Sequence, residues 1–303
     1  MKAIYKILVL SGLSLFVAAN SFAGGMVYSR TAVNAGGTSG SGFELMGVRS
    51  AGKVAYYGGP VISNVKVFTV FWGDKVNPEI VQKFPDFYKT LANSSYMDWM
   101  KEYNTNVTSA EGKPGTNQTI GRGTYGGTFT ITPNNAAISL DKKDVEAELV
   151  KQVEQGKLPA PDANTLYMIH YPPGVTLLTG GEASCQTWCA DHEGFQNAKY
   201  GNFYYAMMPD VSACMFGCGF AGTVFDSISV AASHELAESV TDPLCPDIGQ
   251  TPGYPAAWID GQEEIGDKCT GQPVALSAPN PYQVQEEWSN NLNQCFRGPF
   301  GSP

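Results

Sequence analysis

The chain has 303 residues, 43% hydrophobic and only 16% charged, with a formal net charge of −9. That length allows one large domain or two small ones, with ample chain for a core. The acidic balance argues against binding nucleic-acid phosphates or anionic membrane surfaces, and 34 glycines with 19 prolines favour a loop-rich α+β architecture over a helical bundle.

Residues 1–23 read as a signal peptide. Lys2 and Lys6 flank an apolar run from Ile7 to Ala19, and Ser21 and Ala23 supply the small residues of a cleavage site. The run is well short of the roughly 20 residues that a membrane span needs. Removal of the two lysines takes the formal charge from −9 to −11. A secreted or extracellular location follows, with no span in the mature chain. Residues 24–52 are dominated by Gly, Ser and other small side chains and read as a flexible segment. The ordered domain is placed at 53–303.

Within it, "YYGGPVISNVKVFTVFWG" carries apolar residues on both faces of a strand, the pattern of a buried strand. Asn77 and Pro78 then spell an N-cap and first helical position, with a kink or restart expected at Pro85. "GTFTITP" reads as a strand, and Asp141 caps a helix that Gly156 stops. "TLYMIHYPPG" and "NFYYAMMPD" are two further strands. His170, inside the first of these, reads as a packed core histidine. His192, in "WCADHEGF", is expected in a cysteine-rich loop and is the better site candidate, because loops carry function more often than strands do.

The seven cysteines lie at 185, 189, 214, 218, 245, 269 and 295. Two C-x3-C pairs could build a four-cysteine zinc site, but export to an oxidising compartment favours disulfides. Cys185, Cys189, Cys214 and Cys218 are expected to bridge among themselves, and Cys269 with Cys295. The charge-poor stretch 213–232 is broken by Gly217, Gly219 and Gly222 and reads as a buried turn entering a buried helix.

That helix holds "SHELAESVTDP", residues 233–243. It lacks internal glycine or proline and should run to about Val240. It opens like the zinc-protease signature H-E-x-x-H, with Glu238 where the second histidine would stand. His234 and Glu238 are four apart and share one helix face. Glu235 points about a quarter turn away, where it can serve as proton acceptor for a metal-bound water. A distal carboxylate would complete the set: Glu264, or else Asp267, in the acidic stretch "AWIDGQEEIGDKCTG". One histidine and two carboxylates make a zinc site about neutral and a weaker Lewis acid. The reaction would be slower, a nearby positive group would compensate, or manganese or calcium would replace zinc. The same spelling also occurs on exposed helices, where Glu and His only meet water.

Taken together, "YYGGPVISNVKVFTVFWG", the C-x3-C-x2-H run ending at His192, "SHELAESVTDP", "EIGDKCTG" and "YQVQEEWSNNLNQC" resemble the phosphate-induced protein 1, or EXORDIUM-like, family of secreted plant proteins with bacterial relatives. The likeness runs from about Tyr56 onward. His234, Glu235, Glu238, Glu264, Asp267, Cys269 and Cys295 fall on the family pattern. Plant members typically carry Asn where Asp242 stands, so Asp242 is not taken as a ligand. Cys245 lies outside the pattern, which leaves it as the unpaired thiol. The resemblance implies an extracellular protein with a zincin-like helix and leaves its reaction open.

The leading expectation is therefore a metal-dependent hydrolase, a peptidase by its motif. His234, Glu238 and Glu264 (or Asp267) would bind the metal, Glu235 would be the general base, and His192 would steady the oxyanion or substrate. The substrate would be a peptide or a cell-wall component. The alternative is a non-catalytic extracellular or cell-wall protein with a structural ion or none.

Overall fold

A computed structural model describes residues 25–27, 52–244, 255–261, 263–276 and 281–299. The leader expected at 1–23, nearly all of 24–52, and Cys245 lie outside the described residues. The exception is β1 (Gly25–Val27), so the segment expected to be flexible contributes an edge strand.

The core strands are those expected from the apolar runs: β2 (Lys66–Trp72), β3 (Thr124–Ile131), β4 (Thr165–His170) and β6 (Gly201–Met208). A further strand, β5 (Trp188–Asn197), replaces the loop expected around His192. The six-stranded sheet has the order β1-β5-β6-β4-β2-β3. The pairings β2/β3, β2/β4 and β4/β6 are parallel, whereas β5/β6 and β1/β5 are antiparallel. The architecture is mixed α/β, with small two- and three-stranded sheets beside this one.

Alternation along the strands sends side chains into two cores. Phe68, Val70, Trp72, Tyr167, Ile169 and Tyr205 pack beneath α2 (Lys142–Glu154), through its Val145, Leu149 and Val153. Val67, Phe71, Leu166, Met168 and Ala206 face α1 (Pro78–Ala92) and α3 (Val224–Thr241) on the opposite side. A sheet covered on both faces needs strands that are apolar throughout, which is why these runs do not alternate with polar residues.

The helix ends follow from their caps. Asn77 accepts from the Glu79 N–H at 3.0 Å, Asp141 and Asp144 form a reciprocal capping box, and Thr223 accepts from the Asp226 N–H at 3.0 Å. The first helix does not restart at Pro85. A mid-helix proline costs about 3 kcal/mol, but the buried Ile80, Phe84, Phe87, Tyr88 and Leu91 contribute roughly 1.5–3 kcal/mol each.

Disulfides join Cys185 to Cys214 and Cys189 to Cys218, each across 29 residues, and Cys269 to Cys295 across 26. The first two tie the start of β5 to the segment entering α3. The third pins the acidic stretch to the C-terminal segment. In the chain-entropy account, loops of this size destabilise the unfolded state by about 3–4 kcal/mol each. No helix among the described residues is long and apolar enough to cross a membrane.

His170, at the end of β4, is a core residue. It is 1% exposed, and the Tyr88 hydroxyl meets its Nε2 at 2.9 Å. Burial pushes its pKa from 6.5 down to about 3, so the folded protein keeps it neutral. Between those values the unfolded chain binds the extra proton, and stability falls as the pH drops from 6.5 toward 3. The slope reaches about 1.4 kcal/mol per pH unit. His170→Gln is expected to remove that component, making urea-derived stability less acid-sensitive than the parent's between about pH 6 and about pH 4. Equal slopes in the two proteins would contradict a buried neutral histidine.

Candidate metal centre

A helix buried on all sides is ordinarily apolar all round. By contrast, α3 carries His234, Glu235 and Glu238, each 0% exposed. Two of its serines are satisfied locally or by neighbours: Ser229 donates to the Asp226 and Gln283 carbonyls, and Ser233 donates to the Val230 carbonyl and accepts from the Gln285 N–H. The ionisable residues are not so readily explained, because burying charge without a partner is expensive.

Three further segments close around this helix face. On β5 the pleat turns Ala190 and His192 toward α3, whereas Glu193 reaches Lys142 at the start of α2, at 2.7 Å. Residues 263–276 bring Glu264 and Asp267. The strand β8 (Gln283–Gln285), which pairs with β7 (Pro273–Ala275), brings Gln285.

The polar atoms converge. His234 Nε2 lies 3.0 Å from Glu238 Oε2, 3.9 Å from Glu235 Oε1 and 3.8 Å from Asp267 Oδ1. His192 Nδ1 lies 3.4 Å from Glu235 Oε2 and 3.6 Å from Glu238 Oε2, and its Nε2 is 3.7 Å from Glu264 Oε1. Yet His192 Nδ1, His234 Nε2 and Glu238 Oε2 have no hydrogen-bond partner. Ligands about 2.0–2.1 Å from a tetrahedral ion lie roughly 3.3–3.4 Å from one another. Glu238 Oε2 lies at about such a separation from each histidine, 3.0 Å from His234 Nε2 and 3.6 Å from His192 Nδ1.

The surroundings orient these groups. His192 Nε2 faces the Asp242 carbonyl at 3.3 Å. A carbonyl only accepts, so Nε2 carries the proton and Nδ1 offers its lone pair. Glu238 Oε1 accepts from the Gly266 and Asp267 N–H groups at 3.1 and 2.9 Å, leaving Oε2 to the centre. Asp267 Oδ2 accepts from the Glu264 N–H at 3.1 Å, so this carboxylate supports the loop and offers only Oδ1 inward. The Gln285 amide nitrogen meets His234 Nδ1 at 2.7 Å and donates to the Gly266 carbonyl at 2.9 Å, while the amide oxygen accepts from Gly271.

Electrostatics set the centre apart from the rest of the core. Burial raises Glu264 well above the usual carboxylate range, and the nearby Glu238 and Asp242 add to it. Asp267 is raised by burial and by Glu238. Burial lifts Asp242 to about 7, against the pull of the Ala257 N–H. Burial opposes charge on His234, but Glu238 and Glu235 outweigh it and raise its pKa. Glu238 is correspondingly lowered: burial acts against it, and His234 prevails. The nearby Lys268 does not neutralise the centre, because its ammonium turns to Asp260 at 2.7 Å and Glu263 at 3.6 Å. Those two carboxylates of the acidic stretch thus stand apart from the centre.

Of the six residues singled out in the sequence, His192, His234, Glu235, Glu238 and Glu264 meet in one buried cluster, with Asp267 at its margin. The place of His192 differs from expectation. His192 stands on a strand, not in a loop, and directs Nδ1 toward the helix carboxylates Glu235 and Glu238. Gly266 has a φ of −78°, open to any residue; it is a glycine for lack of space. A Cβ there would sit 2.6 Å from His234 Nδ1 and 2.8 Å from Glu238 Oε1. Gly266→Ala is expected to cost about 1–3 kcal/mol and to weaken metal binding. A variant with parental Tm and metal content would show that the loop does not close on the site.

Sequence reasoning missed Gln285 and Glu287. Glu287 is 0% exposed and accepts from the Tyr96 hydroxyl at 2.7 Å. The alternation of Gln283, Gln285 and Glu287 reads as the solvent face of a strand, and packing against α3 inverts it. No family model, no curated protein and no solved structure matches this chain.

Proposed function

We propose that the protein is a secreted metal-dependent hydrolase, with a zincin-like helix that supplies two metal ligands and a general base. The observation that carries this reading is the convergence of unpartnered His192 Nδ1, His234 Nε2 and Glu238 Oε2 at 0% exposure. His234 and Glu238 form the helix side of the site, and His192 and Glu264 the opposing wall. His192 takes the part of the histidine missing from the helix motif. With both histidines and both carboxylates, Glu238 and Glu264, a single divalent zinc site would be about neutral. Zinc suits this nitrogen and oxygen set, with manganese or calcium as alternatives.

When bound, such an ion acidifies water and polarises a carbonyl or ester oxygen. The chain's own contribution is placement. Glu235 holds one oxygen toward each histidine, at 3.4 and 3.9 Å, where it can accept a proton. The Asp242 carbonyl fixes the His192 ring and Gln285 fixes that of His234. The three disulfides and the absence of a long apolar helix among the described residues support the secreted assignment. The resemblance to EXORDIUM-like proteins is in keeping with it.

Complete burial of the donors favours a second reading, because a closed shell is the mark of a structural ion. The two are separated by incubating the purified protein with peptide and ester libraries, with and without chelator. Hydrolysis that chelation abolishes and zinc restores is expected. A metal-loaded protein without turnover would leave the structural reading.

A further inference from the structure

The cluster contains more donors than one ion takes, and they are not arranged around one point. One donor atom each from His234, Glu235 and Glu238 lies within 4.8 Å of the others, and so does a second triad of His192, Glu238 and Glu264. The two histidines thus belong to different triads, and Glu238 is common to both. Its Oε2 lies between them, 3.0 Å from His234 Nε2 and 3.6 Å from His192 Nδ1. Carboxylates that reach from one nitrogen ligand to the next are what a pair of cations about 3.5–4 Å apart requires.

Charge points the same way. Glu235, Glu238, Asp242, Glu264 and Glu287 are each 0% exposed around this centre. The buried ammonium of Lys268 is committed to Asp260 and Glu263. A single divalent ion offsets two of these five carboxylates. A second one, on the His192 side, offsets two more. His192 supplies the independent sign of a ligand: it is wholly buried, its Nε2 is tied to the Asp242 carbonyl, and its Nδ1 is aimed into the cluster without a partner.

We infer that the centre is binuclear, with one divalent cation on His234 and Glu238, a second on His192 and Glu264, and Glu238 as the bridge. The inference rests on the metal-dependent reading above and refines it. With nitrogen and carboxylate ligands on each side, the pair suits Zn²⁺ or Mn²⁺.

The test is to strip the full-length mature protein with chelator, reload it with Mn²⁺ alone, and measure bound manganese per chain and its EPR spectrum. Two ions with an exchange-coupled spectrum are expected. His192→Ala and, separately, Glu264→Gln are expected to bind one ion with an uncoupled spectrum. One ion in the parent protein would overturn the second site and leave the proposed function standing, whereas none would overturn both. Two uncoupled ions would place the second elsewhere on the molecule and equally overturn the inference. So would a coupled pair that survives in both variants. The parent measurement decides the matter even if a variant fails to fold.

Discussion

Glu235→Gln is expected to lower turnover by about 10²–10⁴-fold, the usual contribution of a positioned general base, while metal content and Tm stay near those of the parent protein. The amide keeps the size of the side chain and its place on α3, so the cluster does not have to repack. It cannot accept a proton, and that is the only property the proposed role needs. The measurement is kcat on whichever library substrate the parent hydrolyses, with elemental analysis of the same sample. Undiminished kcat with full metal would remove Glu235 from the reaction. Loss of metal along with activity would instead make Glu235 a ligand.

His234→Ala is expected to have the largest effect on stability. In the metal-loaded protein it removes the mass-action stabilisation of a bound ion, about 4 kcal/mol when free metal stands a thousandfold above Kd. In the metal-free protein it removes the His234 charge that lies 3.0 Å from the Glu238 carboxylate without a hydrogen bond to it, and removing one member of a buried charged pair costs roughly 3–5 kcal/mol. Either effect lowers Tm on the order of 10 °C. The two are told apart by repeating the melt in chelator: the parent should lose more stability on chelation than the variant does. A variant that melts like the parent and still responds to chelator would mean that the ion sits elsewhere.

The helix half of this site was legible in the sequence for definite reasons. A glycine- and proline-free run between Thr223 and Pro243, with a histidine and a glutamate four apart, allows little but a helix with both side chains on one face. The core strands and the two capped helices were legible on similar local grounds, and so was the grouping of the cysteines, although not which of Cys185 and Cys189 joins Cys214 and which joins Cys218.

The misses share a different cause: each depends on contacts distant in the chain. The polar run Asp191–His192–Glu193 looks like a loop until β6 pairs with it and buries both faces of the strand. Gln285 resembles a solvent-facing residue until α3 packs over it. Gly266 invites an argument from backbone freedom, although its constraint is a histidine ring 32 positions earlier in the numbering. Pro85 signals a break that the apolar face of α1 overrides.

The central claim is that a divalent cation belongs among His192, His234 and Glu238. The most direct measurement is elemental analysis of the mature protein, purified without chelator, together with an anomalous diffraction map recorded at the absorption edge of the metal found. The account predicts a divalent metal at one or more per chain, with an anomalous peak between His234 Nε2, Glu238 Oε2 and His192 Nδ1. A metal-free protein that takes up no Zn²⁺, Mn²⁺ or Ca²⁺ at this position would contradict it.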